Sequence, residues 1–428
     1  MAGEWRDTTL GQLTDFLSGG TPSKDVPRYW GGSIPWVSAK DMKRFRLDDT
    51  EDHVTEHGVA KGTKLVPTGT VLLLARGMTL LNDLPICVAN RPMTFNQDVK
   101  ALRPKPGIRN DFLPYLLLGN KERLLNLVDL AGHGTGRLNS DELKALDVVL
   151  PPESDQRAIA HILGTLDDKI ELNQRMNETL EAIARELFRS WFVDFDPVRA
   201  KFEGREPSLP PLISDLFPDS FEDSELGEIP TGWEVRGIDE IARFLNGLAL
   251  QKFPPRNGRS LPVIKIAQLR SGTTKGADAA SADLASEYVV EDGDVLFSWS
   301  GSLECVLWAG GRGALNQHLF KVTSATFPKW LYYLWIQQHL PDFRHIAAAK
   351  ATTMGHIQRH HLSEAKVVLP PRGLLQAVDK YLSPLVEAVP KYRIESRTLA
   401  AVRDVLLPTL ISGELRIEDA ERIVERVS

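Results

Sequence analysis

Three groups of residues have side chains that could do chemistry, and none of them completes an active site. Glu142 and Lys144 form a Glu-X-Lys sequence of the nuclease kind, but no upstream strand carries the Asp that would accompany it. The glycine-rich segment 132–136 precedes a helix, yet no ordered strand–helix–strand unit or downstream acid supports dinucleotide binding. His360 and His361 could bind a metal, but we find no further ligand at helical spacing. The sequence therefore predicts no catalytic residue, no metal site and no cofactor bound by this chain.

The motifs of two kinds of enzyme are absent from the chain. A methyltransferase acting on adenine would need an Asn-Pro-Pro-aromatic tetrapeptide to hold the flipped base. Pro151-Pro152 and Pro370-Pro371 lack the Asn and the aromatic residue, and the preference of proline for helix starts explains them without chemistry. No Gly-x-x-x-x-Gly-Lys-Ser/Thr sequence occurs, so no P-loop is predicted. A self-sufficient DNA-modifying enzyme stays an alternative, which methyl transfer by the purified chain alone would restore.

Polar residues of the kinds that bind nucleic acid lie in loops of both halves of the chain. Gly19 and Gly20 open a small polar loop, in which backbone N–H groups could approach phosphates. Arg, Asn and Gln are the side chains that contact base edges through two hydrogen bonds. The candidate DNA-binding residues are Thr21, Ser23, Lys24, Lys40, Arg76, Thr79, Asn96, Gln97, His133, Thr135, Arg137, Lys265, Gln268, Ser300, Ser302, Gln317, Thr353, His356, Gln358 and Arg359.

These candidates belong to a unit that occurs twice in the chain. Residues 146–152, Leu-Asp-Val-Val-Leu-Pro-Pro, return at 365–371 as Ala-Lys-Val-Val-Leu-Pro-Pro, displaced by 219 positions (365 minus 146). The same displacement maps Gly136 onto Gly355. Two copies of one unit give the chain a pseudo-two-fold symmetry, and duplex DNA is the commonest partner with a matching two-fold axis.

Repeated and divergent positions predict different roles. The Asn-Gln pair at 96–97 recurs at 316–317, where a turn or a sheet-edge cap explains it as well as a base contact does. Two units that read different sequences should differ at their reading positions. That argument favours divergent segments, such as Arg-Gly-Met-Thr at 76–79 against Ser-Gly-Ser-Leu at 300–303.

Each half is predicted to be a lobe of mixed helix and strand followed by a long helical arm. From residue 159 to 191 a stripe repeats at alternating spacings of four and three, and it returns 219 positions later, from 378 to 410. Such heptad seams are typical of paired helices, and both turn polar at the same central level. Packing of each helix on its own lobe is the alternative. Pro384 and Pro390 lie inside the second arm and predict a kink or break near Pro390.

Composition and charge are those of an ordinary globular chain, and 428 residues suit two lobes with connectors. The net charge is -6, but residues 151–225 hold 17 acidic against 8 basic residues, which leaves both lobes near neutral. A local basic face is thus permitted, and a purely electrostatic DNA coat is disfavoured. No run of 18 or more apolar residues occurs, so we expect no membrane span. The N-terminus has no basic stretch followed by an apolar core, so we expect no signal peptide and a cytoplasmic location. Cys87 and Cys305 are predicted to be core thiols.

Four motifs, in this order and with the chain duplicated, resemble those of a known family. They are Ser18-Gly19-Gly20-Thr21-Pro22-Ser23, Val148-Val149-Leu150-Pro151-Pro152 with Asp155-Gln156, Leu187-Phe188-Arg189-Ser190-Trp191-Phe192-Val193-Asp194-Phe195, and Leu406-Leu407-Pro408-Thr409-Leu410-Ile411-Ser412-Gly413-Glu414-Leu415. Over essentially its whole length the chain resembles the specificity subunit of type I restriction-modification systems. The second copy departs from the pattern, since Gly-Leu-Ala-Leu at 247–250 replaces the Gly-Gly-Thr-Pro loop and no acid precedes Gln376.

The resemblance implies a non-catalytic subunit whose two target recognition domains each read half of a split, asymmetric site on double-stranded DNA. It implies assembly with two methyltransferase subunits and two restriction subunits, which perform adenine-N6 methylation and ATP-dependent cleavage. S-adenosylmethionine, ATP and Mg are then expected on those partners. The candidate partner-binding residues are Phe188, Trp191, Phe192 and Phe195, for which packing between the arms is the alternative. A scaffold that assembles the partners without reading sequence also stays open.

The predicted fold class is α+β, with two tandem pseudo-symmetric lobes joined by two long antiparallel coiled-coil arms. The predicted boundaries are 1–152 for the first lobe, 153–200 for the first arm, 201–225 for an extended linker, 226–371 for the second lobe, and 372–428 for the second arm and tail.

Overall fold

Two long helices form where the sequence repeats its stripe at heptad spacing. Arm 1 is the helix Glu153–Phe188, and arm 2 is the helix Arg372–Ser412. Both begin directly after a Pro-Pro pair, because the fixed φ of proline suits the entry into a helix. Arm 1 continues into a π-helical segment, Arg189–Val193.

The computed structural model describes residues 4–131, 134–256, 258–349 and 355–426. The chain divides into two units. The first unit comprises Met1–Lys169 with Leu399–Ser428, and the second unit comprises Ile170–Thr398. Each unit therefore holds one repeat together with a part of both arms. None of the described helices is long and apolar enough to cross a membrane.

Within the second unit the two arms run antiparallel. Asn173 of arm 1 donates a hydrogen bond to Glu395 of arm 2 at 2.9 Å. Eight residues further along arm 1, Glu181 accepts from Arg393 at 2.6 Å. The residue number thus falls along arm 2 as it rises along arm 1, which confirms the predicted direction of the pair.

Both heptad seams are largely buried, as their spacing predicts. The seam residues with at most 3% exposure are Ile159, Leu163, Leu166, Asn173, Ala184, Val378, Leu382, Val389, Leu399, Leu406 and Leu410. In the first unit, Asp167 of arm 1 accepts from Arg403 of arm 2 at 2.6 Å and from the Tyr115 hydroxyl of the lobe at 2.9 Å. Asp167 is 6% exposed, so loss of Arg403 would leave a buried charge without its cation, at a cost of up to about 3–5 kcal/mol.

The break predicted near Pro390 is not found. Arm 2 remains helical through both Pro384 and Pro390. Val386 and Val389, which lie between the two prolines, are 2% and 1% exposed in the core of the second unit. Their burial helps to offset the helical hydrogen bonds that the two prolines remove.

The first unit builds its lobe from one five-stranded sheet and smaller sheets around it. The five-stranded sheet has the order Thr14–Ser18, Val99–Pro104, Val71–Leu74, Ile86–Ala89, Arg46–Leu47. The two three-stranded sheets are Val128–Ala131, Thr135–Leu138, Arg76–Gly77 and His53–Val54, Trp30–Val37, Thr94–Phe95. The helices and 3-10 turns are Leu10–Leu13, Pro27–Tyr29, Glu56–Gly62, Met78–Leu81, Leu113–Gly119, Lys121–Leu125, Ser140–Ala145 and Ile417–Glu425.

The second unit has two four-stranded sheets. Their orders are Arg243–Asn246, Leu319–Thr323, Val295–Ser298, Cys305–Leu307 and Ala279–Ser281, Ser260–Ile264, Gly313–Leu315, Val289–Val290. The helices and 3-10 turns are Asp196–Phe202, Pro211–Ser214, Ile238–Ile241, Leu250–Lys252, Ile266–Ser271, Ser286–Tyr288, Lys329–Ala349 and Arg359–Glu364. The mixture of sheets and helices in both units confirms the predicted α+β class.

The two units close their lobes in the same way. In the first unit Arg6–Thr9 pairs antiparallel with Asp147–Leu150. In the second, Glu234–Gly237 pairs antiparallel with Lys366–Leu369. Because the later strand of each pair leads directly into an arm, the repeat seen in the sequence is also a repeat of structure.

The segment predicted as an extended linker, 201–225, is folded instead. It includes the helix Pro211–Ser214 and the strand Phe221–Ser224 of a hairpin. Ile213 and Phe217 are each 2% exposed, in the core of the second unit. The prediction of an extended linker was wrong because it rested on the acidic and proline-rich composition of the segment. That composition does not indicate that two of its apolar side chains are buried in the core.

The two buried asparagines at the centre of arm 1, Asn173 and Asn177, should contribute oppositely to stability. Asn177 Oδ1 is buried without a hydrogen-bond partner, whereas Asn173 donates to Glu395. We expect Asn177→Leu to raise the free energy of unfolding by roughly 1 kcal/mol, because an unpartnered buried acceptor is removed. Asn173→Leu should lower it by a similar amount, because Glu395 loses a donor. Urea unfolding of both variants checks the difference, and a change of the same sign in both would contradict it.

Candidate DNA interface

Three segments that lie far apart in the first repeat meet through backbone hydrogen bonds. The N–H of Ala75 donates to the carbonyl of Asp98 at 2.7 Å, and the N–H of Leu138 donates to the carbonyl of Ala75 at 2.9 Å. The side chain of Asn96 accepts from the N–H of Asp98 at 3.0 Å and closes a turn. We refer to this arrangement as frame 1. The candidate residues that it brings together are Arg76, Thr79, Gln97, Thr135 and Arg137.

The second repeat has the same arrangement, frame 2. The N–H of Trp299 donates to the carbonyl of His318 at 3.3 Å, and the N–H of Ile357 donates to the carbonyl of Trp299 at 2.9 Å. The side chain of Asn316 accepts from the N–H of His318 at 3.2 Å. The candidate residues that frame 2 brings together are Ser300, Ser302, Gln317, His356 and Gln358.

The two frames carry different side chains at the same register. Arg76 lies directly opposite Arg137 on the neighbouring strand of frame 1. Ser300 lies directly opposite His356 in frame 2. One backbone therefore presents two guanidinium groups in the first unit, and a hydroxyl and an imidazole in the second.

Asn96, a predicted base contact, belongs to the frame itself. It is 7% exposed, and its Oδ1 accepts from the N–H groups of Asp98 and Val99 at 3.0 and 3.1 Å. The structure thus favours the turn interpretation of this pair, because the amide has no access to a base edge. Gln97 is exposed and accepts from the Thr21 hydroxyl at 2.6 Å, so it stays a candidate.

Cations surround frame 1. Arg76 and Arg137 are exposed, and neither forms an ion pair within 4.0 Å in the described part of the chain. Burial lowers the pKa of Lys100, and the charges of Arg137, Lys144 and Lys64 lower it further. Mutual repulsion makes such a cluster unfavourable on its own, and a polyanion such as DNA would relieve it.

Frame 2 has aromatic and imidazole groups in place of these cations. The Ser300 hydroxyl shares a hydrogen bond with Nδ1 of His318 at 3.0 Å. The Trp299 ring centroid lies 5.7 Å from that of His318 and 6.4 Å from that of His356. Arg359 adds an exposed cation nearby. The second frame therefore offers fewer strong donors than the first and a different pattern of them.

The glycines of the first loop serve close packing. A Cβ atom on Gly19 would overlap the carbonyl oxygen of Phe95, and the N–H of Gly20 donates to that same oxygen at 2.9 Å. This backbone donor is therefore not free for a phosphate, contrary to the expectation from the sequence. Gly247 makes the equivalent approach to the carbonyl of Asn316, although its loop sequence differs. Still exposed in the first loop are Thr21, Ser23 and Lys24.

Other candidates are engaged within the lobes. Lys40 pairs with Asp52 at 3.0 Å. Lys265 pairs with Asp278, and Gln268 accepts from the N–H of Lys265 at 3.2 Å at the start of a helix. These residues have structural partners, and none of them belongs to the hydrogen bonds that define a frame.

The remaining candidates differ in how far solvent reaches them. The exposed ones are Thr79, Ser302, Gln358 and Arg359. The half-buried ones are Thr135, Gln317 and His356. Ser300 is 4% exposed, so little of this residue is open to a ligand. His133 and Thr353 lie outside the described residues.

The predicted partner-docking aromatic residues are buried. Phe188, Trp191, Phe192 and Phe195 are 2%, 4%, 0% and 7% exposed in the core of the second unit. Phe188, for example, meets the Trp335 ring edge-on at a centroid distance of 5.0 Å. The prediction of an exposed docking face is therefore wrong, because the end of arm 1 closes the core of the lobe that follows it.

Three potential metal ligands lie together in the second unit. His360, His361 and Glu364 place their potential ligand atoms within 4.8 Å of one another, and Glu364, at helical spacing, was not predicted from the sequence. Nδ1 of His361 accepts from the N–H of Gln358 at 2.9 Å. In the neutral ring the proton then sits on Nε2, which leaves no lone pair for a metal. The bonding of His361 thus favours a structural role.

Neither cysteine has the exposed, low-pKa environment of a reactive thiol. Both are free and buried. Burial raises the pKa of Cys87 to about 12 and also raises the pKa of Cys305. Because the thiolate is the reactive form, both side chains behave as core thiols, as predicted.

The sequence matches a family model over most of its length. Residues 2–182 and 230–389 match the type I restriction modification DNA specificity domain. The chain belongs to this family. It carries two specificity domains, one in each repeat, and the resemblance noted in the sequence is confirmed.

Known type I specificity subunits align with nearly the whole chain. The specificity subunit of the type I restriction enzyme MjaIX from Methanocaldococcus jannaschii is 28% identical, over 97% of this chain and 94% of the relative. The HindI specificity subunit from Haemophilus influenzae is 25% identical, over 96% and 100%. The crystal structure of the type I S subunit from M. genitalium has a TM-score of 0.57 over 95% of this chain and 96% of that chain, at 15% identity. That last likeness shows the common fold, and the family defines the role as DNA specificity.

Neighbouring residues of frame 1 should separate stability from binding. We expect Asn96→Ala to lower the free energy of unfolding by about 1–3 kcal/mol, because two backbone N–H groups lose their acceptor. Gln97→Ala, at an exposed position, should leave stability nearly unchanged and weaken DNA binding. Thermal unfolding and DNA titration of both variants test this. A Gln97→Ala variant that unfolds as easily as Asn96→Ala would contradict it.

Proposed function

We propose that this specificity subunit reads a bipartite, asymmetric site on double-stranded DNA, one half-site with each unit. The observation that carries the proposal is the pair of frames, which share their backbone hydrogen bonds and differ in their side chains. Proteins select base pairs through the donors and acceptors that they present in the grooves. Two frames with different donors therefore select two different sequences.

The subunit supplies recognition, and its partners supply the chemistry. Its sequence has no methyltransferase tetrapeptide and no P-loop, and its two thiols are protonated near neutral pH. Adenine-N6 methylation and ATP-dependent cleavage then belong to partner subunits, together with S-adenosylmethionine, ATP and Mg. The complex acts on DNA in the cytoplasm.

Two methyltransferase subunits and two restriction subunits assemble with it in this proposal, since a duplicated chain offers each kind of partner two similar surfaces. Because the aromatic cluster is buried, we assign partner docking to a different surface, on arm 1. Leu172, Met176 and Ile183 are 54%, 38% and 44% exposed. Their spacings of four and seven residues place them on one face of the helix. This apolar stripe suits an amphipathic helix of a partner.

Modified-base sequencing of the host genome, with this gene present and deleted, tests the proposal. We expect a two-part N6-methyladenine motif that disappears on deletion, because the methyltransferase loses the subunit that recognises its DNA site. Identical methylation in both strains would argue against it. Methyl transfer by the purified chain alone would instead support a self-sufficient DNA-modifying enzyme. Equal affinity for unrelated DNA sequences would support a scaffold that assembles the partners without reading sequence.

In this proposal the arms set the length of the gap, which is the stretch of DNA between the two half-sites whose sequence is not read. Arm 1 has 36 residues, which span about 54 Å at 1.5 Å per residue. Because its seam residues are fixed against their partners, the arm has a defined length and acts as a ruler.

Insertion of one heptad into each arm at the Asn173–Glu395 level preserves the seam pattern. It should lengthen the gap by about three base pairs, since seven helical residues add about 10 Å and a base pair spans about 3.4 Å. The half-site sequences should stay the same. Base-resolution methylation mapping reads both quantities, and a changed half-site with an unchanged gap would refute the ruler.

A further inference from the structure

Arg76 and Arg137 form an unusual cross-strand pair in frame 1. They are directly opposite each other on neighbouring antiparallel strands, and both side chains are exposed. Like charges at such positions destabilise a sheet. Neither guanidinium has an acidic partner within 4.0 Å in the described ranges of the chain. The pair is therefore unfavourable in the free protein and is suited to an acceptor-rich ligand.

The third strand of this small sheet adds an acid to the same row. Asp129 lies directly opposite Arg137, on the side away from Arg76. Asp129 is exposed and has no ion pair within 4.0 Å in the described part of the chain. A carboxylate repels phosphates, so a row that includes one is poorly suited to the DNA backbone. A base edge in the major groove carries both acceptors and amino donors and fits the row better.

We propose that Arg76 and Arg137 read guanine in the half-site of the first unit. A guanidinium presents its N–H donors in a fixed planar fork, and guanine offers the two acceptors N7 and O6 side by side in the major groove. Adenine and thymine each offer one acceptor there, and cytosine offers a donor. This assignment rests on the proposed function and names the base that the first unit selects.

Frame 2 provides the contrast within the same chain. Its opposed pair is Ser300 and His356, and the Ser300 hydroxyl is already bonded to His318 at 3.0 Å. No guanidinium fork occupies these two positions, so the guanine preference belongs to the first unit. This cross-strand pair, which differs between two corresponding backbone arrangements, then contributes to the asymmetry of the DNA site.

Replacement of guanine by 7-deazaguanine tests the assignment, because it removes N7 and keeps base pairing. The full chain, in complex with its methyltransferase, is titrated with duplexes that carry the mapped site and one such replacement at a time. We expect at least one replacement in one half-site to weaken binding about tenfold, the size of a lost bidentate base contact. In Arg137→Ala or Arg76→Ala that penalty should vanish, and the mapped methylation motif should relax at the same guanine.

Arg137→Lys is the matched control, because it keeps the charge and removes the fork. It should lose the discrimination for guanine while it keeps the salt dependence of binding. His356→Ala should leave the 7-deazaguanine penalty of the first half-site unchanged. Thermal unfolding confirms that each exposed substitution leaves the fold intact.

Two results would overturn the assignment and leave the proposed function standing. One is a half-site that relaxes in neither arginine variant. The other is a uniform loss of affinity in Arg137→Ala with a lower salt slope and no response to 7-deazaguanine, which is the behaviour of a phosphate contact. Equal affinity for all sequences would instead remove the proposed function itself.

Discussion

The structure depends on the antiparallel seam between the two arms, because each unit is completed by helix from a distant part of the chain. In the first unit, Arg403 near the C-terminus binds Asp167, and Ile411 packs so closely on Gly119 that a Cβ atom there would not fit. In the second unit, Arg397 of arm 2 binds Asp292 of the lobe through two hydrogen bonds, at 3.1 and 2.8 Å. Partial burial raises the pKa of Asp292, but these bonds and the N–H of Gly311 more than offset this and keep it below its usual range.

The frames show how one fold carries two specificities. Their positions are held by backbone hydrogen bonds and by Asn96 and Asn316, which close the same turn in both repeats. Side chains that build the frame have to recur, because the backbone arrangement requires them. The opposed pair that begins with Arg76 in one unit and Ser300 in the other is free to differ, because its side chains carry no part of the frame's backbone bonding.

Much of the architecture could be predicted from the sequence, and the candidate site only in part. Heptad spacing and the duplicated strand exits are local patterns, so the arms and the repeat followed from them. Solvent exposure depends on contacts between distant parts of the chain, and most of the predictions that were wrong are those that required a residue to be exposed. Phe188 and its aromatic neighbours have the composition of a docking surface but fill a core, and Phe217 lies in that core although its segment has the composition of a linker. Pro390 stays helical because burial of its neighbours offsets the lost hydrogen bond.

The sequence by itself determined the repeat, the paired arms and the family, since each depends on residue order and spacing along the chain. Tertiary structure alone decided which polar candidates meet and which face solvent. Arg76 opposes Arg137 only because of the register between their strands, and a slip of one residue would turn one side chain to the other face of the sheet. Register is set by packing and by hydrogen bonds between distant segments, so the spacing of residues in the sequence does not contain it.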